Sequence, residues 1–152
     1  MEKQLEDMKA KITAKRCEIW DEEPAEMREL KQTNFPNTNS FASVMYAYAE
    51  IYHLTKNIYL YRNAMIDGEV SFEAIKKLLS LWLDTTSKRY TTWKLVDSAQ
   101  LVVDVSKAVQ QAQDPQAVKD LLDEFLIYNN KLFVWLDTSI PWFQLGKKIT
   151  ID

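Results

Sequence analysis

Glycine and proline are too scarce in this sequence for a fold that is built from many tight turns. The 152 residues include two glycines and four prolines. A sheet protein of this size needs a turn after every short strand, and such turns usually contain more of both residues. Long helices need few turns and exclude glycine and proline from their interiors. The sequence therefore predicts an all-α fold.

The length and the hydrophobic content indicate one packed unit. With 152 residues, of which 47% are hydrophobic, the chain can bury one continuous core. We expect a single helical domain over 1–152, with more polar N-terminal helices over 1–31, a core bundle over 40–139 and a C-terminal tail over 140–152. Because most connections are short, the prediction is a bundle of about five or six helices with mostly antiparallel neighbours and a packed tail.

Charge, cysteine content and the N-terminal residues argue against several classes of protein. The formal net charge of −3 gives no long-range attraction to phosphate backbones, so nucleic-acid binding would need a local basic patch. The single cysteine, Cys17, cannot form an intrachain disulfide and favours a reducing compartment. Residues 1–20 lack the apolar centre of a signal peptide, and no apolar run approaches the roughly 20 residues that span a bilayer. We therefore expect a soluble, cytoplasmic protein.

The strongest periodic signal in the chain lies between Phe41 and Ile66. Apolar residues recur there three and four positions apart, as they do on one face of a helix. These residues are Val44, Ala47, Ile51, Leu54, Ile58, Tyr61 and Met65. A second stripe, which includes Tyr52 and Tyr59, lies one residue over and widens the apolar face. We expect this to be the central helix, with neighbours on two sides.

Capping residues mark the ends of the helices that follow. Gly68 is placed to end the periodic helix in a left-handed conformation, and Ser71 is placed to cap the next helix. Asp114 and Pro115 form a typical start for the last long helix, with the aspartate as N-cap and the proline in the first turn.

A short sequence echo bears on whether residues 72–113 form one helix or two. Leu81–Ser87 reads LWLDTTS, and Val134–Ser139 reads VWLDTS. The second copy runs towards Pro141, and the residue before a proline is driven out of the helical region. If the first copy also marks a helix end, the chain breaks near residues 84–88. The two copies share no fixed period with other segments, so we do not interpret them as an internal repeat.

Glu50 and His53 form the one sequence pattern that suggests a metal ligand. A Glu-x-x-His pair on a helix is half of a carboxylate-bridged two-metal site. The other half needs a second histidine, and the chain has only one. The pair also lies about 100° from the core stripe, on the flank of the helix. We therefore predict no metal site and expect a flank or surface histidine.

Other catalytic and cofactor motifs are absent from the sequence. It contains no phosphate-binding glycine loop, dinucleotide fingerprint, serine-hydrolase elbow or zinc-protease motif. We predict no catalytic set and no cofactor.

Lys88, Arg89, Tyr90, Trp93 and Lys94 form the best local candidate for contact with nucleic acid or an acidic partner. Cations that can pair with phosphates are interleaved there with aromatic rings that can stack on bases. On a helix, however, Tyr90 and Trp93 share one face and would normally pack in the core, which would leave the cations as ordinary solvated charges. Both interpretations remain open from the sequence.

Two large aromatic residues, Trp142 and Phe143, follow a proline in the tail. They bury too much area to be left in water without a reason, so they either pack on the bundle or form a protein interface.

The sequence favours a protein that works by binding another protein. It has no complete active site, and it is rich in tryptophan, tyrosine, phenylalanine and methionine, several of which are enriched at interface cores. The leading hypothesis is a non-enzymatic subunit, adaptor or inhibitor that binds a protein partner or a copy of itself. One alternative is a nucleic-acid-associated subunit that uses the basic and aromatic patch. Another is a carrier or enzyme whose ligand pocket is lined by the tyrosines of the periodic helix.

Overall fold

Six helices make up the part of the chain that the computed structural model describes, which is residues 2–33 and 41–138. The helices are α1 (Glu2–Trp20), α2 (Ala25–Thr33), α3 (Phe41–Asp67), α4 (Phe72–Thr92), α5 (Val96–Gln111) and α6 (Pro115–Thr138). No strand occurs within these two ranges. The prediction of an all-α bundle of about five or six helices is confirmed. None of the helices within these two ranges has the length and apolar character that a membrane span requires.

Helices α3, α4 and α5 follow one another as antiparallel neighbours. A short turn joins α3 to α4, in which Gly68 has a φ of 73° and the Ser71 side chain accepts a hydrogen bond from the backbone N–H of Ala74, as the sequence predicts. Helix α4 packs most extensively against α5. Ala112 is the residue that follows the last turn of α5. Its carbonyl accepts a hydrogen bond from the Lys76 ammonium at 2.8 Å, which supplies a donor to the C-terminal end of that helix.

Helix α6 closes the bundle by packing against α1, α2 and α3. Arg16 of α1 pairs with Glu124 of α6 at 3.0 Å. Further along both helices, the Ile19 carbonyl accepts a hydrogen bond from the Trp135 indole N–H at 2.6 Å. The two contacts follow the same order in both helices, so α1 runs parallel to α6. Helix α1 also contacts α5. Helix α3 contacts α4 and α6, so the prediction that it has neighbours on two sides is confirmed, but α6 contacts three helices and is therefore the more central of the two.

One hydrophobic cluster joins these helices. Its largest fully buried side chains include Tyr90 of α4 and Phe125 of α6. Four apolar residues of the otherwise polar α1 are buried at the heptad-like spacing that its sequence shows, namely Leu5, Met8, Ile12 and Ile19. Leu54 of α3 is also buried, as its stripe predicts.

The break between α4 and α5 lies at residues 93–95, and the predicted break near residues 84–88 is wrong. The hydroxyl groups that suggested a cap there are satisfied within the helix, because Thr85 and Thr86 donate to carbonyls four residues earlier at 2.8 and 2.7 Å. Ser87 instead donates across to the Ala99 carbonyl of α5 at 3.1 Å. Helix α4 therefore continues through the whole LWLDTTS segment.

Lys94 ends α4 in a conformation that usually belongs to glycine. Its φ is 63°, its N–H donates to the Thr91 carbonyl at 2.9 Å, and the next N–H, that of Leu95, donates to the Tyr90 carbonyl at 2.8 Å. This pair of bonds defines a Schellman motif. Such a motif usually includes an apolar contact between the two positions that Tyr90 and Leu95 occupy here, and both residues are fully buried.

Candidate functional site

Half-exposed apolar side chains lie along the outer side of α3 and α6. Tyr52, Tyr59 and Ile66 follow one another at intervals of seven residues on α3, and Ile127 and Val134 do the same on α6. A seven-residue interval is close to two helical turns, so each set forms a stripe along its helix. All five side chains are between 40% and 51% exposed. We call these five residues the α3/α6 face.

An ion pair between the two helices joins the two stripes. Arg62 of α3 donates from Nε to Asp123 of α6 at 2.6 Å. The same guanidinium lies 5.8 Å from the ring centre of Tyr59, and Asp123 is one turn before Ile127. Tyr59 and Ile127 therefore flank the same ion pair, on adjacent helices.

Two contacts set the relative heights of the stripes. Arg62 meets Asp123, and the Thr55 side chain accepts a hydrogen bond from Asn129, so α3 and α6 run antiparallel. Tyr59 lies about midway between Thr55 and Arg62 on α3. Ile127 lies close to the midpoint between Asp123 and Asn129 on α6. The two side chains therefore lie at nearly the same height. Tyr52 and Val134 each lie seven residues towards the same end of the bundle, so they form a second matched level.

The Asp123 carboxylate beneath the face is neutralised by two cations of the same chain. Asp123 also accepts from Lys119 at 2.7 Å, and Arg62 donates from Nη1 to the Asn63 side chain at 2.6 Å. Burial by itself would raise the pKa of the Asp123 carboxyl, but hydrogen bonds from Arg62 and Lys119 and their positive charges outweigh it and hold the pKa below its usual value. The carboxylate is therefore ionised at neutral pH and fixes the distance between the helices.

A buried hydrogen-bond network holds α3 against α4 and α6. The Tyr90 hydroxyl of α4 donates to the Asn129 side-chain carbonyl of α6, and the Asn129 amide donates to Thr55 of α3. Tyr90 and Asn129 have no exposed surface, and burial raises the pKa of the Tyr90 hydroxyl far above its ordinary value. Because a buried polar network specifies which groups must meet, it fixes the helices that carry the α3/α6 face.

The structure separates the five residues of the predicted basic and aromatic patch. Lys88, Arg89 and Lys94 are exposed around the end of α4, whereas Tyr90 is fully buried and Trp93 is partly buried against the core. Tyr90 cannot stack on a base, and its inclusion in a nucleic-acid contact is therefore wrong. The role of the three cations stays a prediction. Trp142 and Phe143, the other predicted interface residues, lie outside the described residues.

The predicted surface position of His53 is confirmed. Its ring is exposed and meets the Tyr52 ring edge-on, with 6.1 Å between the centroids. Within residues 2–33 and 41–138 there is no group of three or more histidine, cysteine, aspartate or glutamate side chains that could hold a metal ion.

Two surface clefts lie away from the tyrosines of α3. One, of about 390 Å³, is formed by α1 and α5 and includes the ion pair between Lys11 and Asp104. The other, of about 510 Å³, lies where α1, α2, α5 and α6 meet. Tyr61, another tyrosine of α3, stacks on Trp82 of α4 with 6.4 Å between ring centres. A tyrosine-lined ligand pocket stays a prediction.

Glu26 of α2 lines the second cleft and caps α5 from another helix. Its carboxylate accepts from the backbone N–H groups of Asp97 and Ser98, at 2.9 and 3.1 Å, and from the Ser98 hydroxyl at 2.8 Å. The Ser98 hydroxyl also contacts the Tyr128 hydroxyl at 2.9 Å, and burial raises the pKa of Tyr128 to about 12. The Glu26 carboxylate thus provides an acceptor for backbone N–H groups in the first turn of α5, because the N-cap residue Leu95 has no side-chain acceptor of its own.

Sequence reasoning found only part of the α3/α6 face. It placed Tyr52 and Tyr59 on one stripe, but it did not identify Ile127 or Val134. Their seven-residue spacing was visible, yet α6 is apolar on several sides, so spacing alone does not show which residues are covered. No protein family, curated protein or solved structure matches this chain.

Proposed function

We propose that the protein acts without catalysis, by binding another protein molecule through the α3/α6 face as a subunit, adaptor or inhibitor in the cytoplasm. The single observation that carries the proposal is the half-exposed apolar surface at seven-residue spacing on two adjacent antiparallel helices. Contiguous apolar patches on a monomer often mark protein interaction sites. Heptad spacing is the pattern by which helices pack side by side, so the bound surface should itself be helical.

The supporting contacts make this face suitable for binding. The ion pair between Arg62 and Asp123 and the buried network around Asn129 hold both helices in place. A surface that is already rigid loses little conformational entropy when it binds. Tyr52 and Tyr59 combine a large apolar ring with a hydroxyl, which suits a contact that is apolar at its centre and wet at its edge.

The first test places a photo-crosslinking amino acid at Tyr59 in protein expressed in the source cells. Leu81 provides the matched control, because it is an exposed apolar residue on α4, outside the face. We expect a discrete crosslinked protein from position 59 and none from position 81. Equal products from both positions would contradict the proposal.

The second test measures the affinity of the purified, crosslinked protein for three forms of this chain. Tyr59→Glu should weaken binding at least about tenfold, because a carboxylate would have to leave water in the bound state. Leu81→Glu should bind as the unmodified chain does. An unchanged affinity of the Tyr59→Glu variant would remove the α3/α6 face from the proposal.

A further inference from the structure

We infer that the α3/α6 face binds a second copy of this chain, in a dimer whose twofold axis runs parallel to the helices. This inference rests on the proposed function, because it names the occupant of the same face. In such a dimer, α3 of one copy lies on α6 of the other, and both contacts are related by the same axis.

The two stripes of the face are complementary to each other. On α3 the two matched levels carry aromatic rings, at Tyr52 and Tyr59, while on α6 they carry aliphatic side chains, at Val134 and Ile127. A 180° rotation about an axis parallel to the helices leaves the position of each residue along that axis unchanged. It places α3 of one copy opposite α6 of the other. It therefore places Tyr59 of each copy on Ile127 of the other, and Tyr52 on Val134. Because α3 and α6 are antiparallel within one chain, every new helix pair across the interface is antiparallel as well.

The charges of the face permit contact between identical surfaces. A face with a net charge would repel its own copy, but here the cations Arg62 and Lys119 are balanced by Asp123, which pairs with both, and by Asp120, which lies 4.0 Å from the Lys119 ammonium. The exposed Lys56 lies between Tyr52 and Tyr59, and its long side chain can cover apolar surface while the ammonium stays in water at the edge.

The size of the face sets the strength of the dimer. Tyr52 and Ile66 lie about 21 Å apart along α3, and two adjacent helices are about 20 Å wide, which gives a face of about 400 Å² per copy. Stable dimers usually bury about 800 Å² per partner. We therefore expect a weak, reversible dimer with a dissociation constant of roughly 1 to 100 µM.

Sedimentation equilibrium of the full chain between about 1 and 500 µM tests the inference. We expect a shift from monomer to dimer over this range. Tyr59→Glu and Ile127→Glu should each raise the dissociation constant at least tenfold, whereas the matched control Leu81→Glu should leave it unchanged. Thermal melts of all variants establish that they are folded. A monomer at every concentration, or a dimer that both face variants retain, would overturn the inference.

Disulfide trapping tests the direction of the axis. In a Cys17→Ser background, Tyr59→Cys and Ile127→Cys proteins are oxidised separately and as a mixture. The proposed axis predicts a disulfide between position 59 of one chain and position 127 of the other, formed only in the mixture. A homodimeric disulfide from Tyr59→Cys alone would contradict this axis.

The inference and the proposed function can fail separately. If the purified chain is monomeric at 500 µM but photo-crosslinking at position 59 yields a different protein whose binding needs Tyr59, the dimer is wrong and the proposed function stands. If neither a second copy nor another protein contacts position 59, both are wrong.

Discussion

Replacement of the buried Asn129 by leucine should destabilise the protein by about 2 to 4 kcal/mol. The amide accepts from the Tyr90 hydroxyl and donates to Thr55, and Tyr90 and Asn129 are fully buried. Leucine has a similar size but cannot form either bond. The Tyr90 hydroxyl would be left buried without its acceptor, at a cost of about 1 to 3 kcal/mol, and the lost bond to Thr55 adds about 0.5 to 1.5 kcal/mol.

A double-mutant cycle with Tyr90→Phe isolates the bond between the two residues. Tyr90→Phe alone leaves the Asn129 carbonyl without its donor and should cost about 1 to 3 kcal/mol. In the double variant both partners of that bond are absent, so only the loss of the Thr55 contact remains and the total cost should be about 1 kcal/mol. The double variant should therefore be more stable than the Asn129→Leu single variant.

Urea unfolding followed by circular dichroism at pH 7 gives the four free energies of unfolding. The slopes with urea should agree among the four proteins, which shows that the denatured states are comparable. Costs that add within about 0.5 kcal/mol would refute the reasoning, because independent sites behave in that way. Such a result would mean that the hydrogen bond between Tyr90 and Asn129 does not hold α4 to α6.

Three further changes test other contacts of the fold. Glu26→Ala should lower the free energy of unfolding by about 1 to 2 kcal/mol in urea, since α5 loses the acceptor at its start; an unchanged value would show that water replaces it without cost. Lys94→Gly should raise stability by about 0.5 to 1 kcal/mol, because glycine adopts a positive φ without strain, and a loss of stability would contradict that explanation. The pKa of Asp123 is lower in the folded state than its ordinary value of 3.8, so the stability that this carboxylate contributes is present above about pH 4 and is lost as the pH falls through the folded pKa. Urea melts at pH 5 and pH 2.5 should therefore show a smaller acid loss for Asp123→Asn than for the unmodified chain, and equal losses would refute this assignment.

The features that the sequence predicted well depend on local chemistry. The helix-end roles of Gly68 and Ser71 follow from backbone conformation and capping, which neighbouring residues determine. The burial of Leu54 follows from a three-and-four periodicity that only a helix uses. These inferences need no knowledge of what lies across the bundle.

Some features that the sequence missed are local alternatives to the expected pattern, and others depend on partners far along the chain. The predicted break near residues 84–88 failed because a threonine hydroxyl can bond within its own helix as well as cap a new one. The actual helix end uses Lys94 at a positive φ, where a glycine would have been recognised. The pairing of Arg62 with Asp123 spans 61 positions, and no local pattern specifies it.

The exposure of Tyr52 and Tyr59 illustrates the same limit for the candidate site. Periodicity shows which side chains share a face of a helix, but whether another helix covers that face depends on the packing of the whole bundle. Helix α3 has neighbours on two sides, α4 and α6, as the sequence predicted, but the stripe that contains Tyr52 and Tyr59 stays half exposed.

Hydroxyl-radical footprinting with mass spectrometry tests most directly whether the α3/α6 face is covered by protein. The oxidation rates of Tyr52 and Tyr59 are compared between undiluted extract of the source cells and the purified chain at about 0.05 µM, which is well below the dissociation constant of roughly 1 to 100 µM that we expect for the dimer. Trp20, which is similarly exposed on α1, serves as the internal reference. We expect both tyrosines to react several-fold more slowly in the extract while Trp20 reacts at the same rate. Equal rates for the tyrosines in the two samples would contradict the claim that this face binds protein.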